Sequence, residues 1–195
     1  MTRWGWLGVL AVLVVAASGC GTEVAASPQA RPTAPGPSWA TPVPVRTPTP
    51  TPPPQKCPPS GAMITVGEVE AALGHRAVVL KLTNCRARTL TLDGYPEVAV
   101  LDARRNKLKK VAVAHGSSYM ATDPGPARIR LGKGESALAA VSWSNTVEVY
   151  GGAVAGTYLS VAQGKGDAPV VWPVVTDIGT TGKVELTAWL LKFAN

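Results

Sequence analysis

Residues 76–84, RAVVLKLTN, set Val78, Leu80 and Leu82 at every second position, with Val79, Lys81 and Thr83 between them. Successive side chains of a strand point to opposite faces, so this spacing puts three branched aliphatics on one side and a mixed set containing a charge on the other. One apolar and one watered face is the pattern of an antiparallel sheet whose inner side covers a core. The same period recurs further along the chain. EVAVLD (97–102), KVAVAH (110–115), ALAAVSW (137–143), TYLSVA (157–162), PVVWPVV (169–175) and KVELTAWLL (183–191) read as strands. Between them stand DGYP (93–96), DARRN (102–106), TDPGP (122–126), GKGE (132–135), QGKGDAP (163–169) and IGTTGK (178–183), rich in the Gly, Asp, Asn and Pro that turns require. Only VGEVEAALG (66–74) has helical character, and it reads equally as strand with a turn at Gly74. Many short strands with regular turns predict an all-β fold over residues 57–195, an antiparallel immunoglobulin-like β-sandwich with Greek-key connections. That span suits a single domain with a real core.

The chain upstream has a different composition. After Met1-Thr2-Arg3, an almost wholly apolar run from Trp4 to Ala17 ends in Ser18-Gly19-Cys20. A charged start, a short apolar stretch and small residues form a secretory signal. The run is shorter than the roughly 20 residues a membrane-crossing helix needs. Ala17-Ser18-Gly19-Cys20 resembles a bacterial lipobox, with Ala17 where Leu is usual, so residues 1–19 are read as a lipoprotein signal peptide and Cys20 as the lipidation site. Residues 21–56 then hold eleven of the chain's 18 prolines and end in RTPTPTPPPQK. Proline fixes φ and removes backbone donors, so residues 20–56 form a lipid anchor and a disordered Pro/Thr tether, extended in polyproline II, that spans on the order of 100 Å. A ligand for a proline-reading domain and a glycosylated Thr/Pro stalk are the alternatives to a spacer.

The chain has three cysteines. Lipid on Cys20 leaves Cys57 and Cys85 as a pair in a compartment where disulfides persist. The expected location is the outer face of the cytoplasmic membrane or the cell wall.

The set LTNCRARTLTLDGYPEVAVLD (82–102), His115-Gly116, Gly125-Pro126, LGKGESALAAVSWSNT (131–146), TYLSVA and DIGTTGKVELTAW (177–189) resembles the actinobacterial domain-of-unknown-function family 4232. The resemblance covers nearly all of residues 57–195 and implies a secreted or lipid-anchored β-domain with no established active site to carry over. Lys133 stands where that family usually has Pro, and a second cysteine pair found in many relatives is absent. The shared residues read as scaffold: Pro96 restricts Tyr95 to extended backbone, and Trp143 and Trp189 lie in apolar strands that suit core packing.

Motifs for chemistry are missing. The sequence has no His-Glu-x-x-His, Gly-x-Ser-x-Gly or Ser-x-x-Lys. His75 and His115 have no ligand-type neighbour at zinc spacing, so no metal or cofactor is expected. GTTGK (179–183) lacks the spacing of a phosphate loop and reads as a hairpin turn. Glu68, Glu70, Asp102, Asp123 and Glu148 are the carboxylates from which a glycosidase pair would be drawn, and their sequence spacing joins no two of them. An unrecognised envelope hydrolase is therefore the alternative reading rather than the main one.

Charge is more informative. The whole chain carries a formal net charge of +7, and residues 57–195 hold fifteen Lys and Arg against eleven Asp and Glu. Five of those cations, Arg104, Arg105, Lys107, Lys109 and Lys110, fall within RRNKLKK (104–110). Placed on a hairpin tip they would attract anionic cell-wall polymer through long-range electrostatics; the plain alternative is a solvated turn. Strand alternation there would put Lys107 and Lys109 on one face and Leu108 and Lys110 on the other. The expected activity is thus that of a binding or structural module of the envelope, not an enzyme. Its partners are the membrane, through the lipid, and an anionic polymer or envelope protein, with no nucleic acid. Trp143, Trp172 and Tyr158 are the next candidates, as a sugar-stacking surface.

Overall fold

The computed structural model describes residues 56–193. The signal peptide, Cys20 and all of the tether before Lys56 lie outside the described residues. Eleven strands follow in order: β1 Ala62–Val66, β2 Glu70–Ala72, β3 His75–Asn84, β4 Leu90–Asp93, β5 Glu97–Leu101, β6 Ala112–His115, β7 Arg128–Leu131, β8 Ser136–Ser144, β9 Val154–Ala162, β10 Val170–Gly179 and β11 Lys183–Leu186. One sheet has the order β1-β3-β8-β11-β6, with β2 beside the start of β3; a second runs β10-β9-β5; β4 and β7 pair as a short ribbon. The domain is an all-β sandwich, mostly antiparallel.

The alternation in β3 has the consequence its sequence implies. Val78, Leu80 and Leu82 are fully buried, while Lys81 is exposed and Val79 and Thr83 are half-buried. Across from them Val98 and Val100 of β5, Leu159 and Val161 of β9, and Trp172, Val174 and Ile178 of β10 join the same core. Each large aliphatic or aromatic side chain placed there contributes roughly 1.5–3 kcal/mol of apolar burial. Pro173 sits inside β10, which tolerates it because β10 is an edge strand and its ladder shifts register between Pro173 and Thr176.

Three local expectations change. The sheet is not wholly antiparallel: β11 pairs β6 in parallel, Lys183 opposite Ala112 through Leu186 opposite His115. Both pairings produce the same period of two, so alternation could not separate them. GTTGK is a tight turn but not a hairpin, because β10 belongs to one sheet and β11 to the other. Gly179 makes that crossing feasible: its φ is 61°, and a Cβ there would collide with the Thr146 carbonyl, which accepts from Thr180 N at 3.0 Å. The stretch 66–74 takes the strand form of its two readings, with β2 followed by a two-residue turn of positive φ at Leu73 and Gly74. Two of the three sugar-stacking positions, Trp143 and Trp172, are 1% and 4% exposed and offer no face to a ligand, while Tyr158 is half-buried.

Cys57 and Cys85 are joined, with Cα atoms 5.8 Å apart and a sequence separation of 28. Closing a loop of that length stabilises the fold by about 3.5 kcal/mol through unfolded-chain entropy.

The buried tryptophans differ in how their N–H groups are satisfied. Trp143 Nε1 donates to Asp177 Oδ1 at 3.0 Å and Trp189 Nε1 to the Gln163 carbonyl at 2.7 Å. Trp172 Nε1 is buried with no hydrogen-bond partner among the described residues. Phenylalanine removes the donor in each case, so Trp143→Phe should destabilise by about 1–2 kcal/mol more than Trp172→Phe. Denaturant midpoints at unchanged m-value measure the difference; equal losses would show that the Asp177 bond adds nothing.

Candidate functional site

The basic run caps the end of β5. Asp102 organises it: its Oδ1 accepts from the amides of Arg104 and Asn106, both at 2.8 Å, and its own amide donates to the Asn106 carbonyl at 2.9 Å. The Asn106 amide, with further help from the Asn106 side chain, the Arg104 amide and the Arg104 charge, holds the Asp102 carboxyl below its ordinary pKa against an opposing effect of desolvation. Arg105 takes a left-handed φ of 65° at the apex, and its guanidinium carbon lies 5.3 Å from the centre of the Tyr158 ring. That cation–π contact gives one of the five cations a fixed place on the outer face of β9. All five are exposed, and none is within ion-pair distance of a carboxylate among the described residues. The expected alternation does not hold beyond Lys107. Lys107 bridges Leu101, but Lys109 and Lys110 lie in a turn closed by Val111 N to the Leu108 carbonyl at 3.2 Å. Leu108 packs against the core and pulls the chain out of strand geometry.

Strand directions locate this tip. β5 runs toward the end of the sandwich where β10 meets residues 145–146, and Ala112 N, just past the basic run, donates to the Gly182 carbonyl at 2.8 Å. Cys57 and Cys85 lie at the other end, beyond Asn84 at the close of β3.

Residues that sequence reasoning passed over gather at that second end. A cleft of about 230 Å³ is lined by Ser60, Asn84, Arg86, Arg88, Thr89 and Leu90. Asn84 is 1% exposed and uses its whole amide: Nδ2 donates to the carbonyls of Arg88 and Leu131 at 2.8 and 2.9 Å, and Oδ1 accepts from Arg86 N at 3.0 Å. The only sequence signal was the closely spaced Arg pair in NCRAR; the contact to Leu131, 47 residues on, had none.

A third cluster involves both histidines. Tyr95 and His115 stack with ring centres 3.9 Å apart and planes 4° from parallel, and His75 stacks on Tyr119 at 4.5 Å. Tyr95 Oη donates to Asp123 Oδ2 at 2.7 Å, while Asp123 Oδ1 accepts from Ala188 N at 2.9 Å and Gly125 N at 3.1 Å. Burial opposes the charge on Asp123, yet the Tyr95 hydroxyl, those two amides and the charge of His115 outweigh it and hold the carboxyl below its ordinary pKa. The bond to Asp123 comes first in pushing the Tyr95 hydroxyl up, with burial and the carboxylate's charge adding to it. This cluster fastens residues 115–125 to the turn before β5 and to the chain after β11. Of the other carboxylates considered for catalysis, Asp102 is used by its own turn, and Glu68, Glu70 and Glu148 line no cleft described here. Among the described residues no group of three or more His, Cys, Asp or Glu could hold a metal ion, and no helix is long and apolar enough to cross a membrane.

A disulfide-bonded, mostly antiparallel β-sandwich with cationic ends and tightly interlocked loops defines the class of protein. Residues 57–190 match the family model described as "Domain of unknown function (DUF4232)", and the chain belongs to that family. No curated protein and no solved structure matches it.

The sign of the Asp123 shift fixes a test. A carboxyl held below its unfolded value of about 3.9 contributes stability that is present above that pH and is lost as pH falls through the lowered folded value. Tyr95→Phe removes a charge-assisted bond, so the Asp123 titration followed by carboxyl NMR should move upward, and the stability lost on acidification should be smaller and complete at a higher pH. An unmoved titration would show that the Tyr95 hydroxyl does not hold this carboxylate.

Proposed function

We propose that this is a lipid-anchored, extracytoplasmic envelope protein whose sandwich adheres to anionic cell-wall polymer through Arg104, Arg105, Lys107, Lys109 and Lys110. The observation that carries the reading is the exposed tip itself: five cations without carboxylate partners among the described residues, at the end of the domain opposite Cys57, where the chain enters. A domain tethered through its N-terminal end would turn this tip outward. An immunoglobulin-like Greek key is the finer description we favour for the fold. The orders β1-β3-β8 and β10-β9-β5 support it, with the chain passing between sheets after β3 and again after β8.

Long exposed side chains contribute little singly, so the attraction is diffuse and weakens as salt shortens the Debye length from about 10 Å at 0.1 M to about 3 Å at 1 M. The tether-free domain, residues 57–195, should pellet with purified cell wall at low salt and remain in solution at high salt, and the variant with all five residues changed to Gln should remain in solution at both. Equal, salt-insensitive pelleting of the two would remove the tip from the mechanism. Anchoring has its own test. Cys20→Ser should shift the protein from the membrane fraction to the medium, or leave an uncleaved precursor, whereas processing and partitioning like the parent would place the anchor elsewhere.

A further inference from the structure

We propose that the cleft at the disulfide end is a binding site for a phosphate group, held by the guanidinium groups of Arg86 and Arg88. This site is separate from the cationic tip and does not rest on the polymer reading. Its lining contains two arginines, the hydroxyls of Ser60 and Thr89, the amide of Asn84 and no carboxylate. Neither arginine is in an ion pair among the described residues. A guanidinium offers donors in a planar fork that matches phosphate oxygens two at a time, which a lysine ammonium cannot do.

The backbone that carries the arginines is also held in place by buried contacts. The loop that carries them leaves β3 at Asn84, whose buried amide binds Arg86 N and the Arg88 carbonyl and ties both to Leu131 on β7. Cys85 fixes the same loop to Cys57. The aliphatic stem of Arg86 crosses Gly61, which has a φ of 80° and where a Cβ would sit 2.6 Å from Arg86 Cδ. Only glycine leaves room for that stem. A turn from the next element closes the loop's far side: Gly134 N donates to the Asn84 carbonyl at 2.7 Å and Asn84 N to the Glu135 carbonyl at 2.9 Å. Ser60 Oγ accepts from Ala62 N at 3.2 Å, which leaves its hydroxyl hydrogen free to donate. The Asn84 side chain is already fully used, so its role is positioning, and the donors available to a ligand are the two guanidiniums and the hydroxyls. A cleft of about 230 Å³ lies below the roughly 300–1,000 Å³ of sites for drug-sized ligands and suits a single tetrahedral oxyanion with a small substituent.

Calorimetric titration of the unlipidated chain, residues 21–195, with inorganic phosphate, at an ionic strength matched with chloride, tests the site. One phosphate should bind per chain. Arg88→Gln, at an exposed position, should weaken binding about tenfold, the loss of one charge-assisted contact, and adding Arg86→Gln should abolish it. Arg86→Lys keeps the stem and the charge but removes the fork, so it should bind more weakly than the parent while melting at the same temperature. The variant with five Gln at the tip should bind phosphate as the parent does, which separates this site from the polymer surface. Absence of phosphate binding by the parent, or equal binding by the Arg86→Gln/Arg88→Gln double variant, would overturn the proposal. Two further arms identify the source of the phosphate. Arg88-dependent binding to phosphatidylglycerol vesicles but not phosphatidylcholine vesicles would assign a lipid headgroup, and Arg88-dependent binding to glycerol 1-phosphate without vesicle binding would assign a soluble phosphate ester.

Discussion

The two sheets share no hydrogen-bonded ladder, so their relative position depends on apolar contact and on the few polar side chains that cross between them. Asp177 on β10 is the principal one. Its carboxylate accepts from Trp143 Nε1 at 3.0 Å and Asn145 Nδ2 at 3.1 Å, and Arg76 Nη2 lies 3.5 Å away, all three on the opposite sheet or its trailing loop. The arrangement solves two problems together. Trp143 can be fully buried because its N–H has a charged acceptor, and Asn145 fixes the loop that Gly179 then meets backbone to backbone. From that contact β9 starts opposite the end of β10, Val154 pairing with Gly179. The direction of β9 sets the direction of β5 and so decides which end of the domain carries the basic tip.

The residues by which the family is recognised have physical work of this kind. Trp143 and Asn145 meet the Asp177-Ile178-Gly179 stretch. The turn before β5 contributes Gly94, whose carbonyl accepts from Trp189 N at 2.9 Å, and Tyr95, which stacks on His115 and binds Asp123. Asn84 grips the turn 132–135, where Glu135 Oε2 accepts from Gly132 N at 2.7 Å. These are joints between distant parts of the chain. A set of joints identifies a scaffold and carries no information about its ligand.

Legibility followed the range of the interaction. Period two in β3, β5, β9 and β10 located the core faces from sequence, because alternation is set by each strand's own backbone. β2, β4 and β7, three or four residues each, were too short to show a period. In β8 the period located the strand but not the burial of its second face. Ala140 and Ser142 alternate with the core-facing Ala139, Val141 and Trp143 yet are themselves 3% exposed, so both faces of this strand are buried. The basic run was visible as composition, although its backbone was not, because a left-handed Arg105 and an inward Leu108 are decided by packing. The arginine cleft was hidden altogether: its geometry comes from an amide at position 84 bonded to a carbonyl at 131, a pairing no local pattern encodes.

The placement of cationic groups therefore has two physically distinct forms on one domain. At the far end, Lys-rich side chains stand on a turn ordered from below by Asp102, free to rearrange, with Arg105 alone laid on an aromatic ring. Such a surface responds to the average potential of whatever it faces and discriminates poorly between anions. At the disulfide end, two arginines are set by a buried amide, a crosslink and a glycine that leaves room for one stem. Preorganisation of that kind reduces the ordering entropy of binding, and it selects by shape as well as by charge. Because β3 and β5 run in opposite directions through the sandwich, the two cationic surfaces face opposite ends of the domain and cannot meet the same flat partner.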